Sequence, residues 1–216
     1  MRFGPDARVA FYYAPAADDP LTAAAESWYA AHPSLTGDAR HYGFHATLKP
    51  PMRLRAGNGW NDVLDAARVI AESVPAFVLP PLAVADLHGF LALCATGPCA
   101  PLQALADACV AAADHLRAPP GEDELARRRR GRLSPAEDAN LRRWGYPYVF
   151  ATWEFHMTLT RRLDDAAERA AVWAAAAAHF ADAVATPRRV TDLCLFVQAA
   201  PDAAFTLAGR IPLGEG

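Results

Sequence analysis

Residues 44–54 read FHATLKPPMRL and residues 155–163 read FHMTLTRRL. Each holds a His-x-Thr-Leu tetrapeptide directly after a phenylalanine. His45 and His156 stand 111 positions apart in a chain of 216. With ten Thr and 22 Leu in the chain, a given histidine is followed by x-Thr-Leu about once in 200. Two such hits among seven histidines arise by accident only roughly once in 2000. The chain therefore reads as a duplication with one motif in each half.

Outward from each motif the same succession appears. A short apolar strand at residues 9–13 and a helix at 21–31 precede a strand at 42–48, which Pro50 and Pro51 should stop. A helix at 60–74 follows, then strands at 77–84 and 90–94 joined around His88-Gly89 as a hairpin. In the second half, helices at 102–116 and 135–144 lead to extended chain at 148–153 and 155–160. A helix at 164–183 and strands at 190–197 and 205–211 complete it. The expectation is an α+β fold of duplicated β-α-β-α-β-β units, about 9–94 and 100–213. The units are related by a pseudo-two-fold axis around a central groove, with antiparallel sheets flanked by helices. Residues 119–134, dense in charge and poor in large apolar side chains, read as a loop insert in one two-lobed domain spanning 1–216.

Strand alternation puts His45 and Thr47 on one face and Ala46 and Leu48 on the other, and likewise His156 and Thr158 against Met157 and Leu159. If the two copies face each other, one groove holds two imidazoles and two hydroxyls. Opening a cyclic phosphodiester needs one group to deprotonate the nucleophile and another to protonate the leaving oxygen, and histidine titrates where it can do either. Threonine hydroxyls can donate to the non-bridging oxygens as charge builds there. No metal and no cofactor are required.

Composition narrows the alternatives. A net charge of −3 gives no general attraction for nucleic acid. No run approaches the ~20 apolar residues of a membrane span, and the start of the chain lacks a secretory signal, so a cytoplasmic protein is expected. The four cysteines form no C-x-x-C pair and read as reduced, mostly buried thiols. Neither H-E-x-x-H nor H-x-x-E-H occurs, which argues against a histidine-based metallohydrolase.

HATL at His45 and HMTL at His156 resemble the paired signature of the two-histidine phosphoesterase superfamily, over nearly the whole chain. The resemblance implies a bilobal α+β fold without metal, with His45 and His156 as acid and base and Thr47 and Thr158 as phosphate binders. YGFHATLKPP from Tyr42, the arginines at 127–130, WGYPYV from Trp144 and FHMTL from Phe155 are similar to a bacterial branch found with phosphonate (carbon–phosphorus lyase) metabolism. That branch implies 5-phosphoribosyl 1,2-cyclic phosphate as the small-molecule partner. The competing reading is a phosphodiesterase for 2′,3′-cyclic nucleotides or RNA ends, or an RNA-binding module with the same groove. Oligomeric state is left open by the sequence.

Further residues border the expected groove. Lys49, two positions past Thr47, falls on the His45 face by alternation and could neutralise a phosphate. Arg128 and Arg130 could grip a second phosphate of the substrate from a flap. Tyr42 and Tyr148, with Trp144 and Tyr146, could stack on a sugar or base. Glu154 could orient the His156 ring.

Overall fold

The first strand, β1 (Arg8–Tyr13), is buried on both faces, and in the computed structural model it lies beside the motif strand. The structure describes residue 4 and residues 6–215, with the backbone alone at Asp38. In chain order there follow α1 (Pro20–Ala31), α2 (Pro33–Tyr42), β2 (Ala46–Arg53), α3 (Trp60–Glu72), β3 (Phe77–Leu79), β4 (Leu82–Leu87) and β5 (Phe90–Ala95). Next come α4 (Ala100–Ala112), α5 (Glu122–Arg129), α6 (Pro135–Trp144), β6 (His156–Thr158), α7 (Ala166–Ala185), β7 (Arg188–Val190), β8 (Asp192–Gln198) and β9 (Thr206–Pro212). Local chemistry sets several ends. The Asp19 carboxylate caps α1 through Leu21 N at 2.8 Å, and Ser134 and Glu137 form a reciprocal capping box on α6.

Seven strands make one antiparallel sheet in the order β4-β5-β6-β2-β1-β8-β9, and β3 pairs with β7 in a separate ribbon. The two motif strands meet at the centre through the single pair Ala46↔Met157. Helices α1, α3, α4 and α7 pack on one face of the sheet, where Phe11, Leu48, Met157 and Leu195 join Leu21, Ile70, Leu105 and Phe180 in the main core. The opposite face of β1 and β8 carries a second cluster of Ala10, Tyr12, Cys194, Phe196 and Phe205.

The α+β class and the antiparallel sheet agree with the sequence reading, and the hairpin turns at His88 (φ 54°) and Gly89 (φ 100°). Four details differ. First, a half-chain is not a lobe: β5 of the first half pairs with β6 of the second, and β8 of the second pairs with β1 of the first. Second, residues 33–42 are helical, so the motif strand begins at Ala46, and it runs on through Pro50 and Pro51. β6 pairs with β2 only at Ala46, so those prolines remove no ladder donor on that side. Third, Pro80 and Pro81 split the strand expected at 77–84 into β3 and β4. Fourth, the charged insert contains the helix α5. Its charges are sorted by sign, with Glu122, Asp123 and Glu124 in the first turn and Arg127, Arg128 and Arg129 in the last. That order complements the helix dipole. Cys109 and Cys194 are buried, Cys94 and Cys99 half-buried, and all four are free thiols. No helix among the described residues is long and apolar enough to cross a membrane.

Candidate active site

The pair Ala46↔Met157 sets the geometry of both motifs. In the antiparallel register about it, His45 stands across from Thr158 and Thr47 across from His156. Ala46 and Met157 are buried toward the helices, so the four candidate side chains share the other face. Because the seam is one pair long, side-chain donors secure neighbouring carbonyls. Trp153 Nε1 donates to Thr47 O at 2.8 Å, Tyr29 Oη to Thr158 O at 2.7 Å and Trp28 Nε1 to Leu159 O at 3.0 Å.

The two imidazoles are held by the same local device. His45 Nδ1 lies 2.9 Å from the carbonyl of Gly43, and His156 Nδ1 lies 2.9 Å from the carbonyl of Glu154, each two residues upstream. A carbonyl only accepts, so Nδ1 carries the proton and Nε2 of each neutral ring is left as a base directed away from the backbone. Thr47 Oγ1 is 3.2 Å from His45 Nε2. At the first motif the carbonyl is presented by Gly43, at φ 77° and ψ 172°, a conformation essentially confined to glycine. It is the backbone of Glu154, not its carboxylate, that orients His156.

The environments of the two rings differ. Tyr12 lies flat against His45, ring centroids 3.7 Å apart at 19°. Tyr12 stands opposite Thr47 in the ladder, and the position opposite Thr158 is Ala92. His156 instead meets the edge of Phe90 at 5.8 Å. Burial pulls the pKa of His45 down to about 4. That net value includes an opposing effect of the Gly43 carbonyl and a smaller lowering by His156. The mutual effect of the two histidines also places them within electrostatic reach of each other. At neutral pH His45 is uncharged.

Tyr12 itself is 0% exposed, and among the described residues its Oη finds no hydrogen-bond partner. Burial drives its pKa upward. An orphaned buried hydroxyl costs about 1–3 kcal/mol. Tyr12→Phe keeps the stack and removes the orphan, so it is expected to raise the unfolding free energy by about 1 kcal/mol, read by urea denaturation. A loss of similar size would show that the hydroxyl is satisfied.

The other candidate residues divide. Tyr42 borders the site, 6.4 Å from the His45 ring and stacked on Phe205 at 5.2 Å. Arg128 lies over the Tyr146 ring at 4.7 Å and pairs with Glu124 at 2.9 Å. Tyr148 meets Tyr146 edge-on but is 46% exposed, at the rim. Arg130 follows α5 and is exposed. Lys49 is not on the His45 face. β2 holds an extra residue between the pairs Phe11↔Lys49 and Tyr12↔Thr47, and this bulge breaks the alternation. The ammonium is turned to α4, 3.0 Å from Val110 O and 4.0 Å from Asp114, with the residue 2% exposed. The sequence reading missed Tyr12 and Arg8. Both lie on the site face of β1, a placement that only the pairing with β2 reveals.

Comparison with known proteins adds three findings. A protein family described as "Protein of unknown function (DUF1045)" matches residues 47–206. Two curated relatives are named "Ribose 1,5-bisphosphate phosphokinase PhnN". The protein from Janthinobacterium sp. (strain Marseille) is 41% identical over 97% of this chain and 51% of its own length. The one from Laribacter hongkongensis (strain HLHK9) is 40% identical over 83% of this chain and 41% of its own. The chain thus spans about half the length of these relatives. Among solved structures, E. coli LigT in apo form superposes with a TM-score of 0.52 at 16% identity. LigT complexed with phosphate gives 0.51 at 14%. Each comparison covers 98% of this chain and all of LigT. The fold is that of LigT.

Proposed function

The chain belongs to the DUF1045 family, and on that premise we propose that it opens a cyclic phosphodiester to a phosphomonoester, with His45 as base and His156 as acid and without a metal ion. The observation that carries this reading is the placement of His45, Thr47, His156 and Thr158 on one face about the Ala46↔Met157 pair, with each Nδ1 tied to a carbonyl. In the proposed step, a water oxygen bonds to phosphorus as its proton passes to His45 Nε2. The ring P–O bond breaks, and the leaving oxygen takes the proton from Nε2 of a protonated His156. The histidines end with their protonation states exchanged, and solvent restores them. Thr47 leaves its 3.2 Å contact with His45 and, with Thr158, donates to the non-bridging oxygens.

The substrate we infer is 5-phosphoribosyl 1,2-cyclic phosphate. Opening it at the C2 oxygen leaves ribose 1,5-bisphosphate, the compound in the name of the two relatives. Their phosphokinase name belongs to proteins about twice as long. No G-x-x-x-x-G-K phosphate loop stands in this sequence, so we assign the kinase chemistry to the part of the relatives that the chain does not span. Phosphorus NMR in EDTA, on this substrate and on 2′,3′-cyclic nucleotides, tests both halves of the reading. Ribose 1,5-bisphosphate as the product supports it. Turnover of the nucleotides alone replaces the substrate, and no turnover until metal is supplied ends the two-histidine mechanism.

A further inference from the structure

We propose that the cleft beneath α5 binds a second phosphate, a monoester dianion on the same molecule whose cyclic phosphate lies between the histidines; this deepens the reading above and rests on it. The cleft is lined by Arg8, Lys49, Arg53, Arg117, Arg127 and Arg128, with Glu124 the carboxylate among its lining residues. Such a concentration of cations is unexpected by chance in a chain of net charge −3.

Three of the six cations already have a carboxylate partner and, among the described residues, three do not. Asp114 is shared between Lys49, Arg117 and Arg143, and Glu124 is taken by Arg128. Arg8, Arg53 and Arg127 meet no carboxylate within 4.0 Å among the described residues. Two guanidinium groups are already fixed by groups that leave further N–H donors available. Arg8 Nε donates to Gln198 Oε1 at 2.6 Å. That amide is fully buried and locked in turn by the carbonyls of Pro201 and Ala203. Arg117 donates to Asp114 at 2.8 Å and lies across Gly145, where an added Cβ would fall 2.8 Å from its Nη1. A guanidinium held in place loses little entropy on gripping a phosphate.

The cleft also lies at a suitable distance from the histidines. Arg8 and Tyr12 share a face of β1, and Tyr12 stacks on His45. At about 3.3 Å per residue the two positions are roughly 13 Å apart along the strand, less the reach of the guanidinium. A sugar carrying phosphates at both ends spans that gap.

Ribose 5-phosphate has the monoester but no cyclic phosphate, so its binding by calorimetry is independent of turnover. It is expected to bind the native chain and His45→Ala alike, more weakly as salt rises, with Kd raised about tenfold or more by Arg8→Gln and by Arg127→Gln. Ribose itself is expected not to bind. Ribose 5-phosphate that fails to bind, or binds with Kd unchanged in Arg127→Gln, overturns the assignment. The exposed Arg127 variant keeps the test valid should Arg8→Gln unfold. Failure of the catalytic reading shows separately, as absent turnover in a chain that still binds ribose 5-phosphate.

Discussion

His45→Ala and His156→Ala are each expected to lower kcat/KM for cyclic phosphate opening by about 10²- to 10⁴-fold, with the double variant falling little below the worse single one. Each histidine serves one half of a concerted proton exchange, so losing either stops the cycle and the second loss removes little more. Both rings are half-buried at the groove, and their Nδ1 bonds go to local carbonyls, so the fold should survive and the thermal midpoint should move little. The two losses are separable by leaving group. A p-nitrophenyl phosphodiester expels a stable anion that needs no proton, so it should rescue His156→Ala and leave His45→Ala impaired. Turnover of the natural cyclic ester within threefold of native in either single variant is the result that sinks the acid–base pair.

Much of this site is legible in the sequence because it is local. Two tetrapeptides, each on a strand of period two, are enough to put His45 beside Thr47 and His156 beside Thr158. The His88-Gly89 turn is equally local, since its two residues alone must accept positive φ. What was not legible depends on pairing. The exchange of β5 and β8 between the halves follows from which strands meet, and neither strand's own residues encode that. Tyr12 sits in an apolar run, VAFYY, that reads only as core until β1 is laid against β2. Lys49 shows the reverse failure: one bulge residue overturned a correct rule of alternation. For α5 a signal was present and was misread. Total charge density suggested a loop, whereas the order of signs, acids first and arginines last, suits a helix.

The asymmetry between the two rings leads to the second large effect, in the pH profile. An ordinary imidazole titrates near 6.5, whereas burial under Tyr12 and beside His156 lowers His45 to about 4. The acid limb of kcat/KM should therefore fall near pH 4. At pH 5 about nine-tenths of the chains keep His45 as a base, against roughly 3% for an unshifted ring, a difference of about 30-fold in rate. Tyr12→Ala removes the stacked ring and admits water, so the limb should move up toward 6.5 while the rate at pH 8 changes far less. Stability follows the same sign. The unfolded chain binds the proton first, so the contribution of His45 is fully present above pH 6.5 and is lost as pH falls toward 4. Its size is no more than about 3 kcal/mol. Carbon-bound proton shifts of the His45 ring, followed by NMR in native chain and Tyr12→Ala, read the pKa directly. A native midpoint near 6.5 would remove the reason for assigning the base to His45.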